Sequence, residues 1–470
     1  MKSRIIDWIE THKQKIIAVG QEVWNTPELG LLEEKSSRIL IDILKSEGFT
    51  VRENLAKMPT AFIASYGAGL PIIAILGEFD ALPNLNQDAT HFKKPINEGA
   101  PGHGCGHNLL GAAGIGACLS LKDLIDSGDI QGTIRFYGTP AEEMFNAKGY
   151  MIKAGAFKDV DITLSWHPAF MNAINDVSLL AINSVKFKFL GRTAHAAFDP
   201  QNGRSALDAV ELMNIGVNYL REHIIPDARI HYVITNGGNV PNVVPEIAEV
   251  HYYIRAPKRS SVEELYKRVI KIAEGATLMT ETKMVINFLG GTYNPLHNDV
   301  VRNVLLSKMK LVGAPKFNKE EREFAEKLKK TLPPGSMEAF TRFIPPNLRD
   351  IAKQILDRPL NRMIIPGIGK GKIMPGSSDV SDVSRVTPLG EIATTCQIMG
   401  APGHSWQNVC TSGISIGHKG MLMAAKVLAL SAIEFMCNPE VVIEATHEFE
   451  EKIKEEPYIS PFPEGFKPPL

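Results

Sequence analysis

The stretch that decides the fold reads PIIAILGEFDALP at residues 71–83. It runs through short apolar, β-favouring residues and stops on acids. Two further stretches have the same form, GTIRFYGTPAEE at 132–143 and DITLSWHPA at 161–169. Such runs between helical stretches are typical of buried strands in a largely parallel sheet. Because ligands bind at the carboxyl ends of strands in open sheets, the three stretches predict one crevice lined by their polar ends.

A helix is predicted directly after Gly106 and His107, where the sequence continues NLLGAAGIGACLSLKDLI. Its small residues and leucines have the pattern of a helix packed against a sheet. From about residue 183 the pattern changes to a compact alternation, as in VKFKFLG at 185–191. Alternation of this kind is typical of a sheet with one solvated face.

These patterns predict two domains. We expect an α/β catalytic domain at residues 1–182 and 297–470, with a mixed, largely parallel sheet flanked by helices. A smaller α+β domain at residues 183–296 is predicted to be inserted into it. A chain of 470 residues is also too long for one ordinary core, which favours at least two packing units.

The composition narrows the class of partner. Hydrophobic residues make up 44% and charged residues 22%, close to globular averages, which excludes a disordered or fibrous chain. Lys and Arg total 51 against 52 for Asp and Glu, so the chain lacks the positive excess of proteins that bind nucleic acid or anionic membranes. We therefore expect a small-molecule substrate, and we expect neither nucleic acid nor a membrane as a binding partner.

The N-terminal residues and the cysteines favour a cytoplasmic location. Residues 1–24 have the spacing of an amphipathic helix interrupted by charge, with neither the apolar region of a signal peptide nor a spanning segment. The five cysteines are odd in number and scattered, which argues for reduced thiols rather than a disulfide framework. One of them is then free to bind metal.

Two segments near the end of the chain are expected to lie at the surface. Residues 316–335, KFNKEEREFAEKLKKTLPPG, are charged and helical and end on Pro-Pro-Gly, which predicts a solvated surface insertion. Residues 455–470 are rich in proline and are expected to end in extended structure.

Cys105 and His107 are the first candidate ligands. They flank a glycine in GHGCGHN at 102–108, and this glycine lets the two side chains converge from a turn. Thiolate and imidazole are both good ligands for zinc and similar ions. Alone, the motif fits a buried cysteine beside a helix-capping histidine equally well.

Glu142 and Glu143 have two interpretations. Thr139 as N-cap, Pro140 at the first helical position and Glu142 in a capping box would make this segment a helix start. Two adjacent carboxylates at a strand end also suit a division of labour, in which one binds a metal and the other handles the proton of a metal-bound water. The local sequence leaves both open.

His167 and His404 follow apolar or turn residues, and either one alone is more often a structural histidine than a ligand. The complete set is more informative, since a thiolate, three imidazoles and two carboxylates are mostly predicted at the ends of one sheet. Together they favour a metal site. Asp80, in GEFDALP, is predicted to hold a ligand histidine in its tautomer rather than to bind the metal itself.

The order of nine motifs resembles the aminoacylase and glutamate-carboxypeptidase superfamily of dinuclear metallohydrolases. The motifs are GEFDALP, GCGHN, GTPAEE, SWHP, GRTAHAA, PNVVP, YIRAP, GSSDVSDVS and PGHSW. They cover nearly the whole chain and are most similar to the branch of p-aminobenzoyl-glutamate hydrolases, near the amidohydrolases that cleave N-acyl amino acids. Many relatives of the acyl-amino-acid branch carry aspartate where this chain has Asn108, which favours the former branch and leaves the substrate open.

The resemblance implies two divalent metal ions per chain, Mn²⁺ or Zn²⁺. It implies Glu142 as the general base that deprotonates a water between the metals. It also implies that the inserted domain is a lid that forms a homodimer, and that a second subunit is possible. The ligands it implies are Cys105, His107, Glu143, His167 and His404.

Three residues of the inserted domain are implied to complete the site. His195 matches the histidine that reaches the neighbouring subunit's active site and helps to hold the oxyanion, while Asn242 and Arg255 match positions that grip the substrate. Judged from the residues alone, His195 could be an ordinary turn histidine and Arg255 could pair with a surface acid. The planar fork of an arginine does suit a carboxylate, because it donates two parallel hydrogen bonds.

The predicted reaction is metal-dependent hydrolysis of the amide bond in an N-acyl amino acid or a p-aminobenzoyl-glutamate-like conjugate. A dipeptidase or aminoacylase acting on other acyl groups is the alternative within enzymes. Two other classes remain: a non-catalytic homologue that binds a conjugate, and a thiol enzyme with Cys105 as nucleophile.

Overall fold

A mixed sheet of eight strands forms the core of the larger unit in the computed structural model, which describes residues 1–143, 147–336, 349–367 and 369–468. Its strand order is β1-β2-β4-β3-β5-β14-β6-β12. The strands of the described chain are β1 Thr50–Arg52, β2 Phe62–Ala68, β3 Ile72–Gly77, β4 Gly132–Gly138, β5 Ile162–Ala169, β6 Asn172–Ile174, β7 Ser178–Leu179, β8 Ala181–Leu190, β9 Arg229–Asn236, β10 Ile247–Ala256, β11 Lys283–Thr292, β12 Ile364–Ile365, β13 Ile373–Met374 and β14 Leu389–Thr395.

The three apolar stretches of the sequence are neighbouring parallel strands, as predicted. β3 pairs in parallel with β4 on one side and with β5 on the other. Gly77 of β3 is opposite Gly138 of β4, so the acids that follow the two strands leave the sheet at the same level. β5 carries His167 near its end, opposite Ala393 of the parallel strand β14. The polar ends of the three stretches therefore reach one edge of the sheet.

Two long apolar helices, α4 (His107–Asp126) and α13 (Ser415–Cys437), pack in one cluster with residues of the sheet. Both are long and apolar enough to cross a membrane, but 83% of an 18-residue stretch of each is buried inside the protein, which is typical of core helices. The helices of the described chain are α1 Lys2–Thr11, α2 Lys13–Asn25, α3 Glu34–Ser46, α4 His107–Asp126, α5 Ala147–Lys153, α6 Ala206–Leu220, α7 Arg259–Thr280, α8 Asp299–Val312, α9 Lys319–Lys329, α10 Arg349–Leu356, α11 Val380–Val383, α12 Trp406–Ser412, α13 Ser415–Cys437 and α14 Pro439–Ile453.

The inserted unit is an antiparallel sheet of order β11-β8-β10-β9 with α6 and α7 packed on one face. Apolar residues and lysines alternate along β8, so the strand has one apolar face that packs against the helices. Val185, Phe187 and Phe189 are fully buried there, while the lysines between them are not. The predicted α+β insertion with one solvated face is therefore confirmed. Its sheet runs from Ala181 to Thr292, and the boundaries at 183 and 296 stay a prediction.

The predicted surface insertion is a helix, α9, but the prediction that it is simply solvated is wrong. Ala325 and Leu328 are fully buried in a cluster that includes Ile398, Ala401 and Ile416. Apolar residues three apart form a stripe on one face of an otherwise charged helix, and this stripe packs against the larger unit. The insertion therefore supports the segment that leads into His404.

Candidate metal centre

Gly106 brings Cys105 and His107 to one point. Its φ of +85° lies in the left-handed region that favours glycine, and a Cβ there would approach Pro168 to 3.1 Å. α4 begins at His107, directly after this turn. The Sγ of Cys105 lies 3.3 Å from Nε2 of His167, so the turn and the end of β5 meet.

Asp80 connects two of the predicted ligands. Its Oδ1 lies 2.8 Å from Nδ1 of His107, and its Oδ2 accepts a hydrogen bond from the backbone N–H of Glu143 at 2.9 Å. Because Nδ1 is occupied by this carboxylate, Nε2 is the ring nitrogen of His107 that is left for another partner. This is the geometry expected of Asp80 from the sequence.

The segment Thr139–Glu143 is a loop, so the capping-box interpretation of Glu142 is wrong. Ala141 has a φ of +54°, which a right-handed helix does not allow, and the Thr139 hydroxyl donates to the carbonyl of Gly77 at 3.2 Å. His404 has the same φ of +54°. Non-glycine residues in this region are strained, and such strain clusters at functional sites.

The five predicted ligands form two adjacent clusters. The ligand atoms of Cys105, His107 and His167 all lie within 4.8 Å of one another, and so do those of Cys105, Glu143 and His404. Cys105 belongs to both clusters. Glu143 Oε2 lies 3.3 Å from His404 Nε2. Two atoms that each lie about 2 Å from one ion are roughly 3 Å apart, so these spacings suit ligands of common ions.

Unpartnered atoms in the clusters also fit a cation. Nε2 of His107 and Oε1 of Glu143 are buried and have no hydrogen-bond partner among the described residues. Buried polar atoms in proteins normally have one. Thiolate, imidazole and carboxylate together suit zinc and related divalent ions. The residues present therefore fit two divalent metal ions.

The electrostatics of Glu142 suit proton transfer. Burial, followed by the nearby carboxylates of Glu78 and Glu143, raises the pKa of Glu142 well above its ordinary value. Glu142 still keeps some contact with solvent. A raised pKa makes this carboxylate a stronger proton acceptor than an exposed glutamate.

Burial also raises the pKa of the Cys105 thiol, and the charge of Glu143 adds to the effect. Without a cation beside it, this thiol stays protonated at neutral pH. A coordinating metal deprotonates such a thiol. The environment of Cys105 therefore argues against a free thiolate nucleophile and for a metal ligand.

His195 and Asn242 lie side by side on the inserted unit. Both are exposed, and the backbone N–H of Ala196 donates to the carbonyl of Asn242 at 3.0 Å. Nδ1 of His195 accepts from the N–H of Phe198 at 3.0 Å, which leaves its Nε2 facing outward. In the described parts of the chain no hydrogen bond or ion pair joins either residue to the five predicted ligands.

Arg255 lies at the junction of the two units. Its guanidinium donates to the carbonyl of Pro375 at 3.2 Å and lies 5.4 Å from the centre of the Tyr253 ring. Its Nε is buried without a partner, and the hydrogen bond of its guanidinium among the described residues goes to a backbone carbonyl rather than to an acid. The alternative of an ordinary surface ion pair is therefore not observed.

The sequence interpretation missed a fourth carboxylate at this site, beside Asp80, Glu142 and Glu143. Glu78 Oε2 lies 3.2 Å from His107 Nε2, and Glu78 Oε1 lies 2.7 Å from Nζ of Lys148. Lys148 in turn lies 2.5 Å from Asp379 Oδ1. Glu78 stands two residues before Asp80 in the first apolar stretch, so its place at a strand end was a usable signal. Lys148 has no such local signal.

Comparison with known proteins agrees with the fold. A family model described as a peptidase dimerisation domain matches residues 178–278. The chain belongs to the M20 family of peptidases and is a metallo-amidohydrolase, which confirms the family resemblance inferred from its motifs. It is 39% identical to one of the subunits of the p-aminobenzoyl-glutamate hydrolase of Escherichia coli K12, in a match that covers 99% of this chain and 98% of that protein.

Two further relatives are similar over nearly the whole length. The Xaa-Arg dipeptidase of Homo sapiens is 26% identical, and the match covers 98% of this chain and 94% of that protein. A solved structure of a dinuclear metal-binding M20 peptidase from Bacillus subtilis superimposes with a TM-score of 0.56 at 16% identity, covering 91% of this chain and 99% of that one. The structural likeness supports the fold.

Proposed function

We propose that this protein hydrolyses the amide bond of an N-acyl amino acid or a p-aminobenzoyl-glutamate-like conjugate, using two divalent ions, Mn²⁺ or Zn²⁺. The observation that carries the proposal is the position of Cys105, whose thiol belongs to both clusters of ligand atoms. The names of the two curated relatives, a p-aminobenzoyl-glutamate hydrolase and an Xaa-Arg dipeptidase, both describe cleavage of a bond to an amino acid. An amide bond next to an amino acid is the chemistry common to both.

Glu142 is the general base in this proposal. Divalent ions at such a site acidify a water and polarise the amide carbonyl. Glu142 takes the proton of the attacking water and returns it to the leaving amine. The support for this role is the position of Glu142, because its carboxylate lies within 4.8 Å of the ligand atoms of His107 and Glu78.

The substrate-binding half of the site is proposed to lie on the inserted unit. Arg255 is the candidate for the carboxylate of the substrate, since its Nε is buried and unpartnered. Asn242 is proposed to bind the substrate beside it. His195, exposed and with Nε2 facing outward, is proposed to hold the oxyanion in the active site of a second copy of the chain.

A homodimer follows from this arrangement. β9 is an edge strand of its sheet, and it exposes Tyr232, Val233 and Ile234. An exposed apolar edge strand is a ready template for pairing with another chain. The hydrolase of Escherichia coli is named with two different subunits, so a different second subunit is a further possibility to test by co-purification. The unpaired cysteines support a cytoplasmic location.

A product screen tests the proposed function. The metal-loaded protein, the chelator-treated protein and Glu142→Gln are incubated with p-aminobenzoyl-glutamate, folates, N-acyl amino acids and β-alanyl dipeptides, and free amino acid is measured. We expect the metal-loaded protein to release free amino acid from at least one class of substrate. This activity should be lost on treatment with chelator and recovered on adding Mn²⁺ or Zn²⁺. No release across the panel would favour a conjugate-binding protein, and activity that survives chelator but not alkylation would indicate a thiol enzyme.

A further inference from the structure

A buried lysine with two carboxylates lies directly beside the proposed metal centre. Lys148 is fully buried, and Glu78 and Asp379 are 2% and 1% exposed. Asp379 holds Lys148 twice, with Oδ1 at 2.5 Å from Nζ and Oδ2 accepting from the backbone N–H at 3.0 Å. Nζ of Lys148 also lies 2.7 Å from Oε1 of Glu78. One oxygen of Glu78 is therefore fixed, and the other is free to face elsewhere.

That other oxygen faces His107. Oε2 of Glu78 lies 3.2 Å from Nε2 of His107, yet Nε2 has no hydrogen-bond partner among the described residues, because the contact lacks hydrogen-bond geometry. Nδ1 of the same ring is held by Asp80 at 2.8 Å. Nε2 and the carboxylate oxygen therefore face each other in a buried site, where a positive charge between them, carried by a proton or by a metal ion, stabilises the contact.

The spacing agrees with a shared ion. Two ligands that each bind one ion at about 2 Å lie roughly 3 Å apart, and the Glu78 to His107 contact has this length. The ligand atoms of Glu78, His107 and Glu142 also lie within 4.8 Å of one another. The distance between Glu78 and His107 is thus similar to the 3.3 Å between the predicted ligands His404 and Glu143.

We propose that Glu78 is a further ligand of the ion bound by His107, and that Lys148, fixed by Asp379, is the positioning residue that turns Oε2 of Glu78 toward that ion. This rests on the proposed metal-dependent function. The position of Lys148 in the chain also connects two elements. It lies in the first turn of α5, the next described element after Glu142 and Glu143, so one buried ion pair fixes this helix to the strand end that carries Glu78.

Glu78→Gln tests the ligand role. The change keeps the size of the side chain and its contact with Lys148 but removes the charge that a cation binds. Metal-free protein is titrated with Zn²⁺ or Mn²⁺ in competition with a chelator. We expect one of the two ions to bind at least about tenfold more weakly, as outer partners of ligands already contribute 10–100-fold. The matched control is Glu434→Gln, which alters a glutamate of α13 that is paired with Lys308 of α8. This variant is expected to bind both ions as the unchanged protein does.

Cobalt substitution gives a second readout. The thiolate-to-cobalt charge-transfer band reports on Cys105, and the visible d–d bands report on the number and geometry of the ligands. For Glu78→Gln we expect the thiolate band to persist while the d–d bands change. Unchanged d–d bands and unchanged affinity for both ions would overturn the proposal.

A double variant tests the positioning role of Lys148. Lys148→Met with Asp379→Asn removes the pair together, so that the carboxylate of Asp379 is not left buried without its lysine, while Glu78 keeps its charge. We expect weaker binding of one ion, whereas a purely structural role would lower the melting temperature of the metal-free protein and leave the affinity unchanged. If the unchanged protein binds no ions, the proposed function fails. If it binds two and Glu78→Gln binds both equally well, only this inference fails, even when the double variant does not fold.

Discussion

The carboxylate of Asp80 holds the imidazole of His107, with Oδ1 2.8 Å from Nδ1. Both side chains are buried, and the same carboxylate accepts the backbone N–H of Glu143 at 2.9 Å. One residue at the end of β3 therefore orients a ligand on α4 and a ligand in the loop after β4. The two clusters depend on a single hydrogen-bonded acid.

Asp80→Asn is expected to weaken metal binding by about 10–100-fold. An amide has only one oxygen, so it cannot accept from both His107 and Glu143 N–H. Chelator competition measures the affinity of the metal-free protein for Zn²⁺ or Mn²⁺. Asp123→Asn, which alters a partly exposed acid paired with Arg4, is the control. Equal affinities for Asp80→Asn and the control would contradict the role of Asp80.

Glu142→Gln is expected to lower kcat by roughly 10²–10⁴-fold while two ions stay bound, because the amide keeps the shape of the side chain but cannot accept the proton. Turnover on the best substrate of the screen and the metal content per chain are measured on the same preparation. Near-normal turnover with both metals bound would show that another group is the base.

Mixing two inactive variants tests the role of His195 across the dimer. His195→Ala and Glu142→Gln are purified separately, mixed in equal amounts and re-equilibrated. If His195 acts on the neighbouring subunit, each mixed dimer has one site with both residues intact. Half of the dimers are mixed and half of their sites are complete, so about a quarter of the normal activity should return. No recovery in dimers shown to exchange would indicate that His195 acts within its own subunit or not at all.

Asp382 makes stability depend on pH. Burial and repulsion by Asp379 raise the pKa of Asp382 to about 7, whereas it is about 3.9 in the unfolded chain. Between these values the folded protein holds a proton that the unfolded chain has released, so stability falls as the pH rises from about 4 to about 7. The full interval corresponds to about 4 kcal/mol at most.

Asp382→Asn removes this pH dependence. Urea unfolding of the metal-free protein is measured at several pH values between about 4 and 8. The free energy of unfolding of Asp382→Asn relative to the unchanged protein should increase across this range and then level off above about pH 7. A constant difference between the two proteins would contradict the assigned pKa.

The C-terminal segment joins the two units through Phe462. Its ring stacks on Tyr150 of α5 at 4.3 Å and lies edge-on to Phe288 of β11 at 6.4 Å. Phe462 is 5% exposed, so Phe462→Ala is expected to lower the free energy of unfolding by about 3–5 kcal/mol. Phe92→Ala, at a residue 51% exposed, is the control and should have little effect. Similar urea midpoints for both variants would show that the segment contributes little.

Local patterns made much of the fold predictable. Short apolar stretches predicted β3, β4 and β5, and a run of small residues predicted α4. Each prediction needed only about ten to twenty consecutive residues, because burial determines both the spacing and the composition of such segments. The segment Thr139–Glu143 shows the limit of such patterns. Its sequence fits a capping box, but Ala141 has a left-handed φ and its backbone N–H donates to the buried carboxylate of Glu33, which lies 108 residues away along the chain.

The site was predictable only in part for a related reason. Strand ends and spacing pointed to Cys105, His107 and Glu143, but His195 needed the family resemblance, since it contacts none of the described ligands. Lys148 was missed because its partners, Glu78 and Asp379, lie 70 and 231 residues away along the chain. Contacts of this range depend on the finished fold.

Anomalous diffraction from crystals grown with Zn²⁺ or Mn²⁺ tests most directly whether Cys105 is shared by two metal sites. We predict two anomalous peaks per chain, both within bonding distance of Sγ of Cys105. One peak should lie beside His107 and His167, and the other beside Glu143 and His404. A single peak, or two peaks of which only one contacts Cys105, would contradict this shared role.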